Sequence, residues 1–208
     1  MSVPESTEKP VEENAPSAID ARLGAVIDGR YRITSLLATG GMGAIYEAEH
    51  IALGKTVALK VILPEYAGNG EVRARFEREA MASSKLHHPN VVSSLDFGSL
   101  EDGSAYLVME RVPGHALSEM LAHGAVSYRR AIHIATQIAD ALVAAHAEGI
   151  VHRDLKPDNV MLVPREDGTD LVKVLDFGIA RVSDEHKSTP GAGLTQVGTI
   201  VGTPGYMS

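Results

Sequence analysis

Between His152 and Asn159 the chain reads His-Arg-Asp-Leu-Lys-Pro-Asp-Asn, which sets a carboxylate (Asp154), an ammonium (Lys156) and a carboxamide (Asn159) close together. This spacing suits movement of a phosphoryl group. An aspartate can orient a hydroxyl and accept its proton, a lysine two residues on can neutralise the moving charge, and an asparagine five residues on can offer an oxygen to a metal ion. Asp176-Phe177-Gly178, beginning twenty-two residues past Asp154, supplies a second oxygen ligand. Hard oxygen donors of this kind suit Mg²⁺ held jointly with nucleotide phosphates.

The amino-terminal half offers two features that match this chemistry. Val57-Ala58-Leu59-Lys60 places a lysine in an otherwise apolar strand, a costly position unless the ammonium has a partner. Glu79, nineteen residues on in a predicted helix, is a candidate partner; the alternative is a strand lysine that buries its stem and keeps its head in water. Gly40, Gly41 and Gly43 lie between two predicted strands. Their bare backbone N–H groups can approach a phosphate chain, although by themselves they make only a tight turn. Gly54-Lys55-Thr56 is not a Walker ending, because Glu49 stands where that loop needs glycine. A dinucleotide fingerprint fails too, since Ala44 to Ala48 reads as a strand and not a helix. None of the nine histidines forms a His-Glu-x-x-His pattern, and His87-His88 before Pro89 reads as a loop.

These groups need elements to carry them. Turn-separated β runs at Tyr31 to Leu37, Ala44 to Glu49 and Thr56 to Leu63 predict an antiparallel meander. Glu71 to Leu86, with Val72, Phe76, Ala80 and Ser83 at helical spacing, predicts a helix ending before Pro89. Strands follow near Val91 to Phe97 and Ala105 to Met109, joined across Glu101-Asp102-Gly103. After Val112-Pro113-Gly114 the period becomes helical. Ala131, Ile134, Ala135, Ile138, Leu142 and Ala145 share a face, with Ser127 as N-cap and Gly149 as the stop. Short strands at Val160 to Val163 and Leu171 to Leu175 flank a turn at Glu166-Asp167-Gly168. The expected organisation is α+β in two lobes: a disordered acidic, proline-containing tail over 1–28, a β-rich lobe over 29–111, and a connector with a mainly helical lobe over 112–208.

Composition narrows the function classes. The 208 residues are 44% hydrophobic and 22% charged, enough to bury one substantial core or two small ones. The absence of cysteine excludes disulfides, thiolate zinc sites, iron–sulfur clusters and a cysteine nucleophile. A net charge of −8 argues against nucleic acid or a polybasic membrane patch as the partner. Part of that charge is local, since Glu5, Glu8, Glu12, Glu13 and Asp20 face only Lys9 in the first twenty residues. The longest apolar stretch, Ala131 to Ala147, is broken by His133, Gln137 and Asp140, short of the roughly 18 apolar residues a membrane span needs. With no secretory signal at the amino terminus, a cytoplasmic location is expected for this stretch, and a membrane anchor beyond Ser208 stays open.

Seven of the eight residues from His152 to Asn159 match one catalytic template, a coincidence on the order of one in 10⁹ per starting position. With the other motifs in order, Arg30 to Ser208 resembles the protein kinase family, and more narrowly the bacterial eukaryotic-like (Hanks-type) serine/threonine kinases. The resemblance implies a protein-kinase-like bilobal fold. It implies transfer of the γ-phosphoryl of Mg-ATP to Ser/Thr hydroxyls of proteins, with activation-loop autophosphorylation through self-association. Leu37, Ala38, Thr39, Gly40, Gly41, Met42, Gly43, Ala44 and Ile45 would then form the loop over ATP. Lys60 would bind phosphate with Glu79 as its helix partner, Asp154 would be the base, Lys156 the γ-phosphate contact, and Asn159 and Asp176 the Mg²⁺ ligands. Met109 falls at the gatekeeper position, the backbones of Glu110 and Val112 at the hinge that pairs with adenine, and Ile45, Ala58 and Met161 in the apolar sandwich around the purine.

By the same likeness, Arg153 awaits a phosphate on the activation segment, Thr195 and Thr199 are the leading acceptors ahead of Ser188 and Thr189, and Thr203 helps align substrate. There are departures. Ala38 replaces the first loop glycine, which would stiffen the turn, and Ser83 stands where a large apolar residue is usual, implying a looser stack through Phe177 and His152. The sequence stops at Gly205-Tyr206-Met207-Ser208, just before the expected Pro-Glu continuation. The C-lobe is therefore expected to be incomplete, as in a fragment of a longer enzyme. A nucleotide-binding regulatory module without turnover is the alternative; a small-molecule kinase is disfavoured by Lys156-Pro157 and by the final seven residues.

Overall fold

A computed structural model describes residues 22–40, 43–62 and 70–177, apart from the side chains of 71, 72, 75, 79 and 82. The expectations for the tail up to 21, for Gly41 and Met42, for the Glu79 side chain and for everything from 178 onward, Thr195, Thr199 and Thr203 included, lie outside the described residues.

Six antiparallel strands form the amino-terminal lobe: β1 (Val26–Ile27), β2 (Tyr31–Thr39), β3 (Gly43–His50), β4 (Lys55–Ile62), β5 (Ser94–Ser99) and β6 (Ala105–Glu110). The expected meander holds from β2 to β4. Helix α1 (Gly70–Ser83) then carries the chain across, so that β6 pairs with β4 and β5 takes the edge. Alternation in β3 and β4 separates two faces. Tyr46, Ala48, Val57, Leu59 and Val61 pack with Tyr106 and Val108, and Ile27, Tyr31 and Ile33 close over them. On the opposite face, Ala58, Ile62, Leu107 and Met109 receive Phe76 and Ala80 of α1. Lys60, in phase with Ala58 and Ile62, therefore belongs to the helix-facing side. Register shifts between Ile33 and Ser35 and between Leu36 and Ala38 place two bulges in β2, which increase the local twist of the strand as it approaches the glycine loop.

The carboxy-terminal part holds β7 (His115–Ala116), α2 (Leu117–Ala122), α3 (Tyr128–Ala147), β8 (Val160–Pro164) and β9 (Asp170–Val174), the strands ordered β7-β8-β9. Helix α3 starts as expected, with Ser127 Oγ accepting from the Arg130 N–H at 3.4 Å, and Gly149 (φ 71°) follows its C-cap. Ile134, Ala141 and Ala145 bury against Val160, Leu162, Val172, Val174 and Phe177, while Ala131 and Ala135 are exposed. No helix among the described residues is long and apolar enough to cross a membrane.

One expected strand is corrected. Val91 to Phe97 does not run as one unit: β5 begins at Ser94, and the segment before it adds in parallel to β9 through the Val91–Val174 bridge. The Val92 N–H donates to Val174 O at 3.0 Å and the Val174 N–H to Asn90 O at 2.8 Å. Asn90, 6% exposed, explains the preference. Its buried amide would be orphaned in a first-lobe strand, whereas here Nδ2 donates to Gln137 Oε1 (2.9 Å) and Val172 O (2.8 Å).

Gly114 marks a second crossing between the halves. A Cβ there would lie 2.2 Å from the Leu162 carbonyl oxygen, a fixed backbone atom of β8. Gly114→Ala must push the connector off β8, and a loss of about 1–3 kcal/mol is expected from such overpacking. Urea unfolding checks it; an unchanged midpoint would mean that the connector yields without cost.

Candidate active site

The loop between α3 and β8 carries the carboxylate, and its geometry begins with a buried imidazole. His152 is 2% exposed, and its ring centroid lies 4.8 Å from that of Phe177 with the planes tilted by 53°. Its Nε2 donates to Leu175 O at 2.9 Å, and its Nδ1 accepts from the Asp154 N–H at 3.4 Å. Burial pushes the ring below the usual imidazole range, against the pull of the Leu175 carbonyl and of the carboxylates of Asp176 and Asp154. His152 is thus neutral at pH 7. An unfolded chain takes up this proton near pH 6.5 and the folded chain only at lower pH, so between the two values the folded state binds fewer protons. The stability contributed is complete above about pH 6.5 and falls as the pH drops through the folded value. Denaturant midpoints should decline on acidification in the wild type and decline less in His152→Gln; parallel declines would contradict this role.

Arg153 takes φ 62°, rare for a residue with a side chain, and the Asp154 N–H closes a three-residue turn onto His152 O at 2.9 Å. This turn brings the Asp154 side chain back toward the residues that follow it. Lys156 Nζ lies 3.1 Å from Asp154 Oδ2. Asn159 Nδ2 donates to Asp154 O at 2.9 Å and reaches Oδ2 at 3.5 Å. The Pro157–Asn159 3₁₀ turn sets that angle, and the Asn159 carbonyl accepts the Leu175 N–H at 2.9 Å, which fixes the residue before Asp176. Asp176, with φ 45°, accepts a hydrogen bond from Lys60 Nζ through Oδ1 at 3.0 Å. Two side-chain groups result, Lys60 with Asp176, 116 residues apart in sequence, and Asp154 with Lys156 and Asn159, and the Leu175 N–H to Asn159 O bond joins them through the backbone.

A divalent cation and a nucleotide can be tested against this set. The Asn159 nitrogen is spent on Asp154, and its amide oxygen has no hydrogen-bond partner among the described residues. Together with the Asp176 carboxylate it makes a hard-oxygen pair that fits Mg²⁺. Among the described residues no three imidazoles or carboxylates gather to hold a metal, so the rest of a shell there would come from phosphate oxygens and water. Ala58, Met109 and Val112 are buried in one apolar cluster against which Ile45 and Met161 pack, which joins both lobes. Val112 is nearly buried, and its N–H has no acceptor among the described residues, while its carbonyl accepts from the Gly114 N–H (3.0 Å) and the Arg111 guanidinium. An orphaned donor beside this apolar cluster fits the edge of a purine.

The glycine loop is narrower than expected. Leu37, Ala38 and Thr39 lie in β2 and Ala44 and Ile45 in β3, paired Ala38 to Ile45 and Thr39 to Ala44. The Gly40 N–H donates to Gly43 O at 2.8 Å and closes the hairpin. Gly43 has a second reason to be glycine, since a Cβ there would meet Val61 O at 2.6 Å.

Several residues near the site are not among the sequence candidates. Leu86, three residues past Ser83, is buried in the same cluster as Phe177, so a leucine displaced along the chain joins that core. Glu47 accepts from Arg111 Nε at 2.8 Å. Lys173 Nζ donates to Glu110 Oε1 at 2.6 Å. The last had a visible signal, because a lysine in Leu171-Val172-Lys173-Val174 raises the same question as Lys60.

The protein kinase domain family matches residues 31–208. The serine/threonine-protein kinase pkn3 of Myxococcus xanthus is 43% identical over 190 residues, covering 91% of this chain and 34% of that protein. PknA of Mycobacterium tuberculosis is 41% identical over 192 residues, covering 90% and 42%. The chain thus spans between a third and a little over two fifths of the length of these two curated relatives. The crystal structure of the Mycobacterium tuberculosis PknI kinase domain aligns with a TM-score of 0.64 at 31% identity, over 76% of this chain and 62% of that one. With most of its length matched by the domain and its fold shared with a solved relative, the chain belongs to the protein kinase family, among its bacterial Hanks-type serine/threonine members.

Proposed function

We propose that this chain carries the ATP-dependent core of a protein kinase that phosphorylates serine and threonine side chains of proteins. The observation that carries the reading is the 3.0 Å contact between Lys60, on the first lobe's sheet, and Asp176, beside the catalytic loop of the second. It supports the reading by joining a cation of one lobe to the carboxylate that this reading makes a metal ligand in the other. In this reading Asp154 accepts the proton of the attacking hydroxyl on a carboxylate oxygen, as the hydroxyl oxygen bonds to the γ-phosphorus and the bond to the ADP oxygen breaks. Lys156 neutralises charge on the transferring group. Asn159 and Asp176 would hold Mg²⁺, which when bound offsets the charge of the β and γ phosphates. Ile45, Ala58 and Met161 sandwich the purine, Met109 limits the depth of the slot, and Glu110 and Val112 bind its edge through their backbones. The loop from Leu37 to Ile45 covers the phosphates, and Glu79 supports Lys60. Thr195 or Thr199, phosphorylated by a second copy, would pair with Arg153.

Incubating the full chain with γ-labelled ATP, Mg²⁺ and casein, followed by phosphoamino-acid analysis, tests this. Label on serine and threonine, absent with Asp154→Asn, is expected. Equal label with both chains, or nucleotide binding with no transfer at all, would overturn it.

A further inference from the structure

The hinge is tied to the strand that leads to Asp176 by a charge pair between Glu110 and Lys173. Glu110 ends β6, and one carboxylate oxygen, Oε1, accepts both the Ser93 N–H at 2.9 Å and Lys173 Nζ at 2.6 Å. The Glu110 N–H in turn donates to Ser93 O at 3.0 Å, and Lys173 Nζ also reaches Val91 O at 3.3 Å. Three segments meet at this ammonium: the hinge, the 91–93 connection between the lobes, and β9. Lys173 sits three residues before Asp176, and its backbone pairs with Met161 of the proposed purine floor. The two side chains are only 13% and 30% exposed, so solvent screens the pair weakly.

We propose that Lys173 is a positioning residue that clamps the purine-facing hinge to β9 and so sets the distance between base and metal sites. The proposal rests on the function proposed above for its ligand, a Mg²⁺-bound nucleotide. The physical reason is that β6 ends at Glu110 and residues 111–114 lie outside any strand, so the Val112 N–H has no sheet of its own to hold it against β9. Without the ammonium, the direct link from Glu110 to β9 is lost and only the longer route through Ser93 and the Val92–Val174 pairing is left, so nucleotide must fix part of that spacing at its own binding cost.

Calorimetric titration of the full chain with Mg-ADP tests the clamp, with thermal midpoints taken without nucleotide as the fold control. Lys173→Met and Glu110→Gln should each weaken binding about five- to tenfold. The double variant should be no weaker than the poorer single one, and Lys173→Arg should stay within about twofold of wild type. Wild-type affinity in a folded Lys173→Met, or losses that add in the double variant, would overturn the clamp and leave the proposed function standing. Binding without Asp154-dependent transfer would overturn the function while the clamp is still judged by affinity. A wild-type chain that binds no Mg-ADP overturns both.

Discussion

Asp154→Asn should reduce single-turnover transfer from labelled ATP by about 10²–10⁴-fold, the range a positioned general base contributes. Asparagine preserves the shape of the side chain and nearly all of its packing, so the loss reports on chemistry. The carboxylate lies 3.1 Å from Lys156 and within reach of the Asn159 amide; a neutral carboxamide keeps a hydrogen-bonding oxygen but cannot take up the hydroxyl proton. Mg-ADP affinity should stay within about twofold, because the role proposed for Asp154 is at the attacking hydroxyl and not at the nucleotide. A variant that transfers at the wild-type rate would remove Asp154 from the mechanism.

Lys60→Met should lower transfer about 10²–10³-fold, the cost of deleting one fixed electrostatic partner of a transition state, and should weaken ATP binding as well. The two effects separate it from Asp154→Asn. Lys60 contacts the proposed metal ligand directly, 3.0 Å from Asp176 Oδ1, with side chains 21% and 31% exposed. Methionine retains the stem that packs beside Ala58 and Ile62 but leaves the carboxylate without this cation, so both ground-state binding and charge stabilisation decline. Steady-state kinetics that show a higher KM for ATP and a lower kcat are expected. A change in KM alone would reduce Lys60 to a binding contact.

Much of the fold was legible because its signals are periodic. Helix α3 was visible in a repeat of apolar residues between Ser127 and Gly149, and β3 and β4 in β-type runs bounded by turn residues. The two-residue strands β1 and β7 and the six-residue helix α2, under two turns long, are too short to repeat a period of their own kind, and only tertiary contacts define them. The parallel pairing of Val91 with β9 was hidden for another reason: local propensity favours a strand there but does not name its partner, which Asn90 selects through Val172 and Gln137. At the site, residue types announced the chemistry, whereas the link from Lys60 to Asp176 joins residues 116 positions apart and needed three dimensions. Lys173 was missed because a lone lysine in a strand points to a partner without saying which.

The central claim is that Lys60, Asp154, Asn159 and Asp176 converge on one metal-bound nucleotide. Its most direct test is calorimetric titration of the full chain with ATP, with and without Mg²⁺, in the wild type and in Asp176→Asn. Convergence predicts that Mg²⁺ tightens ATP binding at least about tenfold in the wild type and less than about twofold in the variant. The same Mg²⁺ effect in both chains would contradict it.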